Sequence, residues 1–423
     1  MEYPRRCKVI AIANLYSPWR IIERVRGMSG PLHGIRIIDL TTVIMGPSAT
    51  QLLADLGADV VKVESSGGDS MRNIGPMRNP GMGPLFMQAN RNKRSLRLDL
   101  KDPQDLKHLE RLLGDADVFI SNIRPRALAR LGLAYDDVRK LNSSIVFCSC
   151  VGYGQSGPLA AEAVYDDLMQ AASGVSGMFE RVDGKPRYAP VNICDRVVGL
   201  YAAVAVQAAL FHRERTGEGQ SVEVPMFETM ADFVLSDHIG GLAFVPPLGP
   251  TGYLRLLSRE RGPYATSDGY IAVVVYTDAH WQRFAQIVGK PEILADPRFA
   301  SLQTRTVHAE TAGRVLAEEL TGRSTAEWLE VLRAADIPAC RVNSVDDLFE
   351  DEHLAAVGFF SEVEHPTEGR LRLPRSPLLF SGTPLEVRHL APPLGRHNRE
   401  LGIDEHGSNL SASATAKPET AKA

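Results

Sequence analysis

Over the first third of the chain, apolar residues fall in short unbroken runs separated by stretches with helical spacing. Residues 35–40 and 59–64 read as strands covered on both faces, because their Ile and Val side chains do not alternate with polar ones. Between them Gly46-Pro47 opens a helix running to about Leu56. Proline suits a first helical position, and Gly57 suits the stop. The unit then recurs: a helix over 104–113 leads into a strand at 117–121, and a short helix near Ala127 leads into a strand at 144–149. Alternation of this kind predicts an α/β fold with an open, mostly parallel sheet.

Two longer helical stretches follow, at 167–178 and 196–213, and near Pro225 the alternation stops. Pro246-Pro247-Leu-Gly-Pro-Thr-Gly reads as loop, before a hairpin-like stretch at 264–276. These shifts divide the chain into a large domain over 29–225, a smaller α+β domain over 226–335, and a linker at 336–403 that returns to the large domain. Residues 1–28 are basic and lack strand periodicity, so they read as an extension, with Met28 as a candidate start. Residues 404–423, rich in Ser, Ala, Thr and Lys, read as a disordered tail.

Composition narrows the class of function. At 423 residues, 44% hydrophobic and 23% charged, the chain has the profile of an ordinary globular protein of two or three domains. A net charge of -4 gives no electrostatic reason to expect nucleic acid or an anionic membrane, so any anion site is local. The five cysteines are scattered with no C-x-x-C pair, which fits reduced thiols and a cytoplasmic setting. No run of about 20 apolar residues stands out as a span, no metal-ligand spacing appears, and neither a P-loop nor a nicotinamide fingerprint occurs.

Three features carry candidate chemistry. Gly152-Tyr-Gly-Gln-Ser-Gly-Pro158 follows a strand, so Gly152 and Gly154 would let backbone approach a ligand, or else simply make a turn. Arg91, Lys93, Arg94 and Arg97, with Arg72, Arg124 and Arg130 nearby, make either a solvated surface or a phosphate site. Asp195 stands where an irregular stretch meets a helix. There it would cap free amides, or serve as a nucleophile that the helix dipole keeps ionised.

Taken in order, Pro31-Leu-His-Gly-Ile-Arg-Ile-Ile-Asp-Leu, Leu53-Ala-Asp-Leu-Gly-Ala-Asp-Val-Val-Lys-Val-Glu, Asn92-Lys-Arg-Ser-Leu-Arg-Leu-Asp-Leu, the Gly152 cluster and Arg215-Thr-Gly-Glu-Gly-Gln-Ser-Val-Glu-Val resemble the class III CoA-transferases, the CaiB/BaiF family. The resemblance covers about 29–400. It implies an open Rossmann-like large domain built from both chain ends, a small domain, and two chains threaded into an interlocked homodimer. It also implies transfer of coenzyme A from an acyl-CoA to a carboxylic acid acceptor, with the CoA thioester as substrate and no permanently bound cofactor.

Residue by residue, the resemblance assigns the nucleophile to Asp195 and an auxiliary role to Asp166, 29 positions earlier (195 minus 166). It places Asn122, Arg130, Leu98 and Ala127 against coenzyme A, with Arg72, Lys93 and Arg94 as further phosphate candidates. Ser65 departs from the family by replacing an arginine. Ile44 and the Ser258–Arg261 stretch lack formyl-CoA transferase features, and Tyr165 replaces the histidine of the racemases. These departures disfavour formate, oxalate and racemisation. An acyl-CoA racemase using Asp195 as α-proton base, and a non-catalytic acyl-CoA binder, are the alternative readings.

Overall fold

The computed structural model describes residues 29–403; the extension at 1–28 and the tail at 404–423 lie outside the described residues. The chain folds as two compact units, one formed by 29–151, 195–224 and 359–403, the other by 152–194 and 225–358.

The larger unit is built on strands β1 (Arg36–Leu40), β2 (Asp59–Glu64), β3 (Lys93–Arg97), β4 (Val118–Ser121), β5 (Val146–Val151) and β6 (Ser221–Pro225). They form one sheet in the order β3-β2-β1-β4-β5-β6, with β1 to β5 parallel. Both faces are covered, which is why β1, β2, β4 and β5 are near-continuous apolar runs. Helices α1 (Met45–Asp55), α2 (Pro84–Asn90), α3 (Pro103–Gly114), α4 (Pro125–Arg130) and α5 (Tyr135–Leu141) fill the crossovers. Strand order reverses direction between β1 and β4. In open sheets of this type the crevice beyond the strand ends at that reversal is where ligands bind.

Returning chain stitches this unit together. Ser95 and Arg97 on edge strand β3 exchange hydrogen bonds with Gly395, His397 and Asn398, so the edge is not left open. Arg388 donates to the carbonyls of Ala54, Gly57 and Ala58, closing the carboxyl end of α1. A hairpin, Phe360–His365 with Gly369–Pro374, occupies part of what reads in the sequence as linker.

The other unit packs Trp281, Phe284, Phe299 and Trp328 around a three-stranded antiparallel sheet of Tyr264–Ala265, Tyr270–Val273 and Ala339–Arg341. It is wider than sequence suggests. The 152–194 segment joins it because Phe227 N–H donates to Gly152, Glu228 accepts from Gly154 N–H, and Arg181 donates to Thr251. The helix expected over 167–178 is two, Asp166–Ala172 and Val175–Asp183, broken at Gly174 with φ +96°.

Candidate active site

Asp195 lies in the first turn of the longest helix, Ile193–Thr216. The sequence sets that start near Arg196; the helix begins earlier, so Asp195 is not the cap itself. Its carboxylate still stands among the free amides and the positive end of the dipole. Four residues on, and so on the same face, Gly199 meets the amino end of α1: a Cβ there would lie 2.9 Å from Met45 O and 3.3 Å from Ser48 Cβ. Arg196 completes the junction by donating to Ser48 Oγ at 2.8 Å. Two helix amino ends thus converge beside Asp195, at the carboxyl edge of the sheet.

The loop between β1 and α1 is held from below by buried charge. Lys62 Nζ donates to Thr41 O at 2.8 Å and lies 3.0 Å from Asp69, whose other oxygen accepts Val43 N–H at 3.2 Å. Val43 sits at φ +71°, a costly conformation for a β-branched residue. Asp39 accepts the amide and hydroxyl of Thr41 and pairs with Lys93 at 3.1 Å. Burial pushes the Asp39 carboxyl up, but Lys93, Lys62 and the two threonine hydroxyls outweigh it, leaving it below its ordinary value. Burial brings Lys93 down to about 8 against the pull of Asp39. Sequence reasoning missed Asp39, Lys62 and Asp69 as site supports. For Asp39 and Lys62 the available signal was charge inside otherwise apolar strands.

Asn122, just past β4, is tied to this loop: it accepts Thr42 N–H at 3.0 Å and donates to Thr42 O at 2.9 Å. One N–H and one lone pair remain for a ligand. Arg130, at the end of α4, is exposed, as are Arg126 on the same short helix and Arg124 at its cap. Ala127 is half-buried beside them, and Leu98 is buried in the core.

Other cations assigned to phosphate are already committed, and the assignments are withdrawn. Arg72 makes a two-pronged pair with Glu64, both contacts at 2.7 Å, donates to Gly81 O and Pro392 O, and stacks 3.7 Å over Phe86. Lys93 is fully buried against Asp39, Thr50 and Asn90. Arg94 pairs with Asp59 and Glu400 at the opposite, amino edge of the sheet. The Asn92-Lys-Arg-Ser motif therefore serves folding.

Asp166 and the glycine cluster belong to the other unit. Asp166 is buried and accepts from Gln170 Nε2 at 2.6 Å. Gly152 is required by packing, since a Cβ would lie 2.5 Å from Val164 Cγ1, and the Gly154 amide is spent on Glu228 at 2.9 Å. Gly152 thus has a packing reason for being glycine, and the Gly154 amide is already paired. Among the described residues no group of three or more His, Cys, Asp or Glu is placed to hold a metal ion. Helix Ile193–Thr216 is long and apolar enough to cross a membrane by composition, a candidate the sequence reading did not raise. One face of it, with Val198, Ala202 and Val206, is buried in the fold.

Comparison with known proteins gives the chain's family. A succinate–glutarate CoA-transferase of Agrobacterium fabrum is 33% identical over 378 residues, 88% of this chain and 94% of that protein. A formyl-CoA:oxalate CoA-transferase of Streptomyces coelicolor is 34% identical over 396 residues, 89% and 95% of the two chains. The crystal structure of a CaiB/BaiF family protein from Brucella suis superposes with a TM-score of 0.74 at 29% identity, covering 88% of this chain and 98% of that one. The profile of CoA-transferase family III matches residues 32–398, and the chain belongs to that family as an enzyme of the class III CoA-transferase type.

Proposed function

We propose that the enzyme moves coenzyme A from an acyl-CoA thioester to a free carboxylic acid through covalent intermediates on Asp195. The observation that carries this is the position of Asp195 in a helix first turn, beside the amino end of α1 and at the sheet reversal. Helix amino ends favour the ionised carboxylate and offer N–H donors to the oxyanion that forms on attack.

An Asp195 oxygen attacks the thioester carbonyl, the C–S bond breaks, and CoA thiolate leaves a mixed anhydride. The thiolate attacks the Asp195 carbonyl, giving an aspartyl-CoA thioester and releasing the first acid. The acceptor carboxylate repeats the two steps in reverse and departs as the new acyl-CoA. No net proton is consumed. Arg130, with Arg124 and Arg126, supplies exposed charge for CoA phosphates, and Asn122 and Ala127 shape the adjoining wall.

A homodimer belongs to the same reading. Leu200, Val204 and Phe211 form an exposed apolar stripe on the long helix, a surface that a second copy would cover. The acid remains open, because the relatives are named for different ones. The purified enzyme is incubated with succinyl-CoA and a panel of mono- and dicarboxylates, and thioesters are followed by mass spectrometry. The account expects a new thioester in step with succinate release. Deuterium entering the α-position without a new thioester would support racemisation instead, and no reaction with any acid would favour a binder.

A further inference from the structure

We propose that the buried Lys62 and Asp69 form a positioning pair for the reaction: they hold Val43 in a backbone conformation that valine disfavours, and so fix the amino end of α1 against the helix that carries Asp195. The inference rests on the reading of Asp195 as nucleophile. A valine at φ +71° is a rare thing, because its branched Cβ crowds the backbone, and such residues persist only where their surroundings over-determine them.

The loop meets that condition residue by residue. Three consecutive positions are each held by a polar side chain from a different place. Lys62, on β2, donates to Thr41 O at 2.8 Å. Asn122, beyond β4, takes both the N–H and the carbonyl of Thr42, at 3.0 and 2.9 Å. Asp69 accepts Val43 N–H at 3.2 Å and Met71 N–H at 3.0 Å through Oδ1, and its Oδ2 lies 3.0 Å from Lys62 Nζ. Both members of the pair are buried, while Thr42 above them is exposed. Gly46 draws the loop tighter still, since a Cβ there would lie 2.4 Å from Thr41 Cβ.

Taking two charges out of water is costly, and a loop that only joined a strand to a helix would need neither the charges nor a strained valine. What the arrangement secures is the start of α1. Ile44, next after Val43, caps that helix and accepts Ser48 N–H at 2.8 Å, and the carbonyl of Met45 leaves room only for glycine at 199. Asp195 stands about one helical turn from Gly199. Misplacing a reacting group by about 1 Å can cost roughly a hundredfold in rate, so slack in this loop should reach the chemistry.

Rescue separates positioning from plain stability. Lys62→Met/Asp69→Ala removes the pair without leaving one buried charge alone. In the full-length enzyme, with succinyl-CoA and the acid it uses best, kcat should fall about thirtyfold and the KM for succinyl-CoA should change less than about threefold. Without the pair Val43 is free to relax to negative φ, whereas glycine tolerates either sign. Adding Val43→Gly to the double variant should therefore raise kcat at least about fivefold. Asp69→Asn is milder on the fold because it keeps an acceptor for Val43 N–H, and it carries the same comparison at smaller amplitude, about fivefold down and largely restored by Val43→Gly. Each preparation is also trapped with hydroxylamine and acyl-CoA. No adduct at Asp195 in the parent enzyme overturns the reading of the nucleophile, and this inference with it. An adduct there, with kcat in both pair variants within about threefold of the parent or with no gain on adding Val43→Gly, overturns the positioning role alone.

Discussion

The two edges of the parallel sheet use the same residue types for opposite ends. At the amino edge every prominent cation is answered: Arg94 by Asp59 and Glu400, Arg213 by Asp117, and Arg388 by three carbonyls. At the carboxyl edge Arg124, Arg126 and Arg130 stand exposed, while the loop beneath is fastened by Lys62, Asp69 and Asp39. Basic residues clustered in sequence thus divide by strand direction into those that hold the fold and those left exposed. Rossmann-type sheets place ligands at the carboxyl edge for the same topological reason.

The largest effect should come from Asp195. Asp195→Asn preserves shape and removes the nucleophile, so kcat should fall roughly a thousandfold or more with CoA binding intact. Activity within tenfold of the parent would move the chemistry elsewhere. Next comes the buried support. Lys93→Met leaves Asp39 in the core without its cation and should cost about 3–5 kcal/mol in urea unfolding, part of which returns in Asp39→Leu/Lys93→Met. A loss below about 1 kcal/mol would reduce the pair to a surface-like contact.

A third prediction separates stability from chemistry at low pH. Burial, aided by Arg111, lowers His108 to about 4 from an ordinary 6.5, so the unfolded chain binds its proton more readily. Stability is then fully present above pH 6.5 and falls by up to about 2 kcal/mol as pH drops toward 4. His108→Gln should flatten that limb in thermal scans. The smallest effect contrasts the edges directly. Arg130→Ala should raise the KM for acyl-CoA about five- to tenfold at unchanged kcat. Arg94→Ala should leave KM alone and lower stability by about 1 kcal/mol or less. A KM change in Arg94→Ala would erase the distinction between edges.

Much of this organisation is legible in the sequence, and what is not has physical causes. Strands β1, β2, β4 and β5 announce themselves because burial on both faces leaves no room for polar alternation. Strand β3 does not, since Lys93, Arg94 and Arg97 make it look like a basic loop until Asp39 and Asp59 come beside it from neighbouring strands. Pairing of that kind is set by sheet order, which a single strand does not encode. The packing need for Gly152 is not legible in the sequence, because the contact that requires it, with Val164, lies across a loop. The roles proposed for Asp195 and Arg130 rest on the family resemblance and not on periodicity.

The most direct test of the account is chemical trapping at Asp195. Enzyme is mixed with acyl-CoA and hydroxylamine, digested, and mapped by mass spectrometry. The account predicts an aspartyl hydroxamate on the peptide holding Asp195, dependent on acyl-CoA and absent in Asp195→Asn. Sustained transferase turnover in Asp195→Asn, with no adduct on that peptide in the parent enzyme, would contradict it.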